Sequence, residues 1–286
     1  MSQSQSRSKS ASQSRSRSAS QSASQSASIG LSADELLAVL RAEVQLVVKE
    51  LKLVFLADPV PTCPQWTVRD LIEHLGGAHR WAAAVVAGAR TENLPDEEQA
   101  TLMAPPVDPN ELVPWFADGA GTLLAAMDAA PVDLQAFTFL RSAPPARLFW
   151  ARRQAHETTI HRVDLLAAQL GRIPSTAEAG VGPAVAVDGI DELLIGFIQR
   201  RSSRLRNSEP FRVIIAPSDV EVAWTVAVSD DPPIVTPGTD RKANSVLSGT
   251  AAALYLGLWN RGDDIAETGS VDALGQWRER VRISWS

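Results

Sequence analysis

Ala155-His156-Glu157-Thr158-Thr159-Ile160-His161-Arg162-Val163-Asp164 lies inside a run from about Ala146 to Leu170 that reads as one long helix. On a helix, Glu157 and His161 share a face, with Cβ atoms about 5–6 Å apart. One divalent ion could take both. The chain has only four histidines, and the two outside this stretch, His74 and His79, also fall close together, in His74-Leu75-Gly76-Gly77-Ala78-His79-Arg80-Trp81. A carboxylate and an imidazole from one helix, joined by an imidazole from a second, form a facial set that suits Zn²⁺ or a similar ion and leaves coordination positions open. The pattern is not the H-E-x-x-H of zincins. His156 and His161 are five residues apart, about 140° around a helix axis, and so are His74 and His79. At most one histidine of each pair therefore faces a common centre, and spacing alone leaves open which one.

Upstream of both segments, Ser32-Ala33-Asp34-Glu35 has the form of a helix N-cap followed by an acidic first turn. Leu36, Leu37, Leu40, Val44, Val47, Val48, Leu51 and Val54 then recur at helical spacing, which predicts a first helix to about Leu56. Pro59, Pro61 and Pro64 break the chain, and Thr67-Val68-Arg69-Asp70 starts a second helix with a threonine cap and an acid three residues on. A proline-rich connection at Pro105, Pro106 and Pro109 leads to a third, apolar at Leu112, Trp115, Phe116, Leu123, Leu124 and Met127, before the histidine-bearing fourth. Four such helices with inward ligands on the second and fourth describe a four-helix bundle with a core metal site.

Past a Gly/Pro-containing connector near Ile173–Pro183, a further apolar helix is expected to about Arg204. The periodicity then changes to that of strands at Phe211–Ala216 and Val220–Val228, with short candidates at Ile234–Thr236 and Ser245–Leu247. Thr250–Trp259 reads as a helix and Val281–Trp285 as a terminal strand. The fold class is thus α+β in two domains, a bundle over residues 29–175 and a small domain with a mixed or antiparallel sheet over 176–286.

Residues 1–28 are different: serine holds every even position from Ser2 to Ser28, and no core-forming pattern accompanies it. Such a segment cannot offset the entropy of ordering and is expected to be disordered. It carries Arg7, Lys9, Arg15 and Arg17, so 23 of the 27 basic residues face 33 acidic ones in the body, a balance of −10. That body is a poor nucleic-acid surface, and four charges make a weak basic arm. At 286 residues and 45% hydrophobic the chain can bury a substantial core. Its longest uncharged stretch, Ala243–Asn260, is too rich in Asn, Ser and Thr for a membrane span. The lone Cys63 cannot form an internal disulfide, consistent with a cytoplasmic location.

Val60-Pro61-Thr62-Cys63-Pro64-Gln65-Trp66-Thr67-Val68-Arg69-Asp70-Leu71-Ile72-Glu73-His74-Leu75-Gly76-Gly77, with Arg153-Gln154-Ala155-His156-Glu157-Thr158-Thr159-Ile160-His161-Arg162-Val163-Asp164 and Leu258-Trp259-Asn260-Arg261, resembles the mycothiol-dependent maleylpyruvate isomerase family. The resemblance runs from about residue 31 to the end. It implies a DinB-like metal-binding bundle followed by a sterol-carrier-like α/β domain. It also implies His74, Glu157 and His161 as metal ligands, leaving His79 and His156 as structural or supporting residues. Arg261 resembles an arginine that the family places near the cleft, where a guanidinium grips a carboxylate bidentately; a surface arginine in a Gly/Asp turn is the plainer reading. Asp164, three residues after His161, either orients that imidazole or pairs with Arg162 or Arg153. Cys63, in a Pro-flanked turn, reads as a small buried thiol rather than a nucleophile, and the eight tryptophans as packing residues.

The cofactors implied are a divalent metal, zinc by donor type, and mycothiol as thiol cosubstrate. The implied partners are that thiol and a small-molecule substrate. The implied activity is thiol-assisted cis-trans isomerisation of an unsaturated keto acid. Two alternatives use the same architecture: mycothiol S-transfer to an electrophile, and a non-catalytic metal-bound module. A fourth protein ligand from Asp70 or Cys63 would favour the latter.

Overall fold

A computed structural model describes residues 30–282 of the chain. The serine-rich segment 1–28 falls outside the described residues, as does the expected terminal strand beyond Arg282. Helix α1, Ala33–Glu50, opens on a capping box in which the Ser32 hydroxyl accepts from Glu35 N–H and the Glu35 carboxylate accepts from Ser32 N–H. A 3₁₀ turn, Leu51–Leu53, follows, and the chain is extended at Val54. The helix therefore ends short of Leu56, where a turn tied by Phe55 N–H to the Asp58 carboxylate begins, just ahead of Pro59.

Helix α2, Val68–Ala87, begins at Thr67, whose side chain and that of Asp70 cap each other's backbone. A short helix α3, Asp96–Met103, packs on α2 without burying any residue. Helix α4, Leu112–Ala129, and helix α5, Ala146–Leu170, complete the bundle, and α5 stops at Gly171 in the left-handed region, φ 65°. α1 lies against α5 and α4, and α2 against the same two, so the four long helices close a square.

The second part begins with a single turn, α6, Thr176–Ala179, and α7, Pro183–Asp191. α7 runs into a π-helical stretch, Glu192–Ile198, and the expected helix thus ends about two turns before Arg204. Strands β1, Phe211–Pro217, β2, Trp224–Val228, β3, Ile234–Pro237, and β4, Ser245–Gly249, precede helix α8, Ala251–Leu258. Strand β5, Ala266–Gly269, and helix α9, Ala273–Arg280, follow. The sheet has the order β3-β2-β1-β4-β5. β1 and β4 are parallel, with Val213 opposite Ser245, and the other pairs are antiparallel. The sheet is therefore mixed. β2 starts later than Val220 because Val222 N–H bonds back to Val220 C=O in a bend.

One buried apolar cluster runs from Leu36, Leu40, Trp81 and Trp150 in the bundle to Phe197, Trp224, Tyr255 and Trp259 in the second part. The two parts thus share a core, and α5 is the wall between them. Every residue of α5 from Arg153 to Leu165 is buried, although most of them are polar. Burial on that scale requires partners for each charge, because an unpaired buried charge costs several kcal/mol.

Candidate metal centre

His74 stands two turns into α2, and Glu157 and His161 one turn apart on α5. Where the helices meet, His74 Nε2 lies 2.9 Å from Glu157 Oε1, and His161 Nε2 lies 3.3 Å from the same oxygen. Candidate ligand atoms of the three residues all fall within 4.8 Å of one another. The imidazoles meet edge to face at 4.9 Å, and the Trp66 ring lies 5.0 Å from that of His74 and 5.8 Å from that of His161. The other Glu157 oxygen is occupied: Arg153 Nη2 donates to Oε2 at 2.6 Å, leaving Oε1 as the atom offered to the two histidines. Arg153 also donates to Glu192 Oε2 at 2.5 Å, so a buried guanidinium bridges α5 to the π-helical stretch. Burial pushes the Glu157 carboxyl up, but Arg153 and the hydrogen bonds from His161 and His74 outweigh it and hold the group well below the ordinary range.

Asp164 sits behind His161. Its Oδ2 lies 2.9 Å from His161 Nδ1, which fixes a ring proton there and leaves Nε2 as the nitrogen that faces Glu157 and His74. Arg261 grips the same carboxylate with both Nε and Nη2, each at 3.0 Å, and donates through Nη1 to Trp259 C=O. Burial pulls the His161 imidazole down, yet the bonds to Asp164 and Glu157 lift it to about 9 in the metal-free protein. Asp164 itself is held far below the ordinary range: burial opposes this, but Arg261 and His161 prevail.

Cys63 lies beside this pair, its thiol 3.5 Å from Asp164 Oδ2 and 3.3 Å from Arg261 Nη2. Burial, with Asp164 adding to it, pushes the thiol up to about 12. It is a protonated, weakly nucleophilic group at neutral pH.

The two remaining histidines are enclosed elsewhere. His79 Nε2 meets the Thr158 hydroxyl at 2.9 Å, and burial drives the ring down to about 3, leaving it neutral. His156 bonds Asp188 Oδ1 through Nε2 at 2.7 Å and the Tyr255 hydroxyl through Nδ1 at 3.2 Å. Asp188 also accepts from Arg152 Nε and from Leu31 N–H, which ties the start of α1 and the α5–α7 contact to one carboxylate.

Residues 37–166 match the model for the mycothiol maleylpyruvate isomerase N-terminal domain, and residues 184–277 that for the MDMPI C-terminal domain, between them well over half of the chain. The chain belongs to the mycothiol-dependent maleylpyruvate isomerase family. Two crystal structures, one of the mycothiol-dependent maleylpyruvate isomerase and one of a histidine-to-alanine mutant of it, share the fold, each with a TM-score of 0.58 at 19% identity. Each likeness covers 84% of this chain and 95% of the other. No curated protein matches the chain in sequence.

In this member of the family, His74 and Glu157 line a cleft of about 710 Å³ walled by Trp81, Met103 and Phe139. Arg261 and Cys63 line a separate hollow of about 460 Å³ with Trp259 and Arg278. Arg261 is therefore neither a surface residue nor free: its guanidinium is spent on Asp164, and Asp164 pairs with it rather than with Arg162 or Arg153. The sequence reading offers Arg153 only as a partner of Asp164, and it misses the pairing of Arg153 with Glu157, the role of Glu192 and the ring role of Trp66. Arg153 was within reach of a periodicity argument, since it stands four residues before Glu157 on one helix face. Glu192 was not, because its pairing depends on how the second part docks. Among the described residues, no helix is long and apolar enough to cross a membrane.

Proposed function

We propose that this chain is a metal- and mycothiol-dependent enzyme that isomerises an unsaturated keto acid of the maleylpyruvate class. The observation that carries this reading is the convergence of His74, Glu157 and His161 beside an open cleft. Their fit to a divalent ion rests on two features of the donors. Arg153 occupies one Glu157 oxygen and leaves the other free of any donor but the histidines, and Asp164 fixes the His161 tautomer whose Nε2 is a ligand. Asp70 is spent on capping α2 and Cys63 lies against Asp164, so neither closes the set. Three protein ligands are the pattern of a catalytic rather than a structural site.

When bound, the ion would supply the positive charge that keeps a thiol cosubstrate ionised, and mycothiol the reversible addition that lets a double bond turn. The chain's own residues do the rest. Arg153 and Asp164 hold two of the three ligands in place. Trp66 covers both imidazoles and shields them from water. Trp81 and Phe139 give the cleft apolar walls, and the proton held on Cys63 keeps that thiol from competing with the cosubstrate.

The test is elemental analysis of the purified protein beside Glu157→Ala and His161→Ala, followed by turnover of maleylpyruvate with mycothiol. About one zinc or comparable ion per chain, lost in the folded variants, and isomerisation with free thiol returned are the expected outcome. Consumption of the thiol would assign S-transfer instead. A folded protein that binds no ion, even after reconstitution, overturns the reading.

A further inference from the structure

The guanidiniums around α5 are nearly all committed: Arg152 to Asp188, Arg153 to Glu157 and Glu192, Arg162 to Glu43, Arg261 to Asp164. Arg200 is not. It lines the same cleft as His74 and Glu157 and is half-buried, yet among the described residues its side chain makes no hydrogen bond or ion pair. Two rings hold it instead, with the guanidinium carbon 4.6 Å from the Phe197 ring centre and 5.6 Å from that of Phe139. Aromatic faces orient a guanidinium while leaving its N–H donors unspent. The residue sits just past the π-helical stretch Glu192–Ile198, a type of local distortion frequent at functional sites.

The surrounding electrostatics leave it short of an anion. Burial and the nearby Arg153 push the Arg200 guanidinium down, with only Glu192 pulling the other way, and Glu192 is held by Arg153. A second unspent group lines the same cleft. Gln154 is 2% exposed, and its side-chain oxygen is buried without a partner. It precedes Glu157 by three residues on α5 and so shares its face. Rotation of the amide exchanges oxygen and nitrogen, so Gln154 can accept from a hydroxyl or donate to a carbonyl. Burying such a group unpaired costs free energy that a ligand recovers on binding.

We propose that Arg200 is the carboxylate-binding residue of the cleft, with Gln154 engaging the oxygen next to that carboxylate on the same small acid. This rests on the reading of the cleft as a keto-acid site, and it adds a recognition residue that is neither a metal ligand nor Arg261. The guanidinium presents two parallel N–H groups that match a carboxylate and reject a neutral amide.

The probe is fumarate, with fumaramide as its neutral counterpart, titrated against the full chain as isolated and read by tryptophan fluorescence and calorimetry. Wild-type protein should bind fumarate saturably and fumaramide far more weakly. Arg200→Met should bind fumarate roughly tenfold to a hundredfold more weakly. Arg200→Lys, which keeps the charge but not the fork, should fall between. Arg200→Met should keep its metal content and its melting temperature within a few degrees, because no hydrogen bond or ion pair of the fold is lost and the methionine can still pack on the Phe197 and Phe139 rings. With substrate, the loss should fall mainly on KM rather than on kcat. Fumarate binding unchanged in Arg200→Met, fumaramide binding equal to fumarate, or no fumarate binding to the wild type each overturns the proposal. Arg200-dependent binding in a protein that proves to hold no metal would leave this assignment standing while the proposed function falls.

Discussion

Replacing Asp164 with asparagine isolates the orientation of His161 from its charge and bulk. In the native protein Asp164 Oδ2 faces His161 Nδ1 at 2.9 Å and Arg261 Nη2 at 3.0 Å, while Oδ1 accepts from Arg261 Nε at 3.0 Å. All three positions call for an acceptor, and an aspartate supplies acceptors on both oxygens. Asparagine must turn its N–H₂ toward one neighbour. Turned toward Arg261, it sets donor against donor beside a buried guanidinium. Turned toward His161, it is satisfied only if Nδ1 gives up its proton and the neutral ring keeps one on Nε2, the atom that faces Glu157 Oε1 and His74 and that the proposed metal site needs as a ligand.

Either arrangement leaves a buried donor unpaired, at a cost of about 1–3 kcal/mol. For a domain of this size that lowers the melting temperature by roughly 2–12 °C. The second arrangement also disables a ligand, and loss of such an outer partner costs about 10–100-fold in metal affinity. The assay is zinc competition against a chelator of known affinity, run beside thermal unfolding of the metal-free proteins. A folded Asp164→Asn whose zinc affinity lies within about twofold of wild type would refute the orientation argument.

Three other outcomes follow from the same contacts. His161 is lifted from 6.5 to about 9 in the metal-free protein, so the stability it contributes is full below 6.5 and is lost as pH rises through 9. The metal-free melting temperature should fall across that window and fall less in His161→Gln; a flat wild-type curve would count against the Asp164–His161–Glu157 chain. Cys63, held protonated up to about 12, should react with iodoacetamide at pH 8 at least about tenfold more slowly in the native protein than in denaturant. Equal rates would show that the thiol is not enclosed as described. In Gly76→Ala the new methyl would collide with the Trp115 ring, which is itself stacked under Arg80 at 4.0 Å, and should cost about 1–3 kcal/mol; an unchanged melting temperature would show that α2 and α4 are less closely packed there.

Legibility in the sequence followed the range of the interactions. Ser32–Glu35 and Thr67–Asp70 cap helices through contacts three residues apart, and both starts could be read directly. α5, whose apolar and polar residues do not alternate by face, was still recognisable from its length and from Gly171 after it. α3 escaped because it buries nothing and so has no apolar period. β5, Ala-Glu-Thr-Gly at a sheet edge, lacks the β-branched run that marks a strand, and α9 has only Ala273, Leu274 and Trp277 as apolar residues facing the core. Their placement is decided by partners distant in sequence, such as the pairing of Ser245 with Gly269.

The same distinction separates the ligands from what holds them. Residue types and helical spacing both point to a metal shared by the two histidine segments, while the choice of His74 over His79 and of His161 over His156 comes from the family resemblance. Asp164 stands out only by its spacing from His161 and Arg261 only by resemblance, with their roles left open, and Arg153 carries no mark of its own, since arginines and aspartates are common on helices and in turns. What gives them meaning is burial, and burial of α5 from Arg153 to Leu165 arises only when the second part packs against the bundle. That docking brings Glu192 to Arg153 and Arg261 to Asp164, so each candidate ligand on α5 is oriented by a charge whose own partner or anchor comes from the other side. Separating the two parts would leave α2 and α5 able to form but Glu157 and His161 without fixed orientation. The second part is thus a component of the candidate metal centre even though it contributes none of the three candidate ligands.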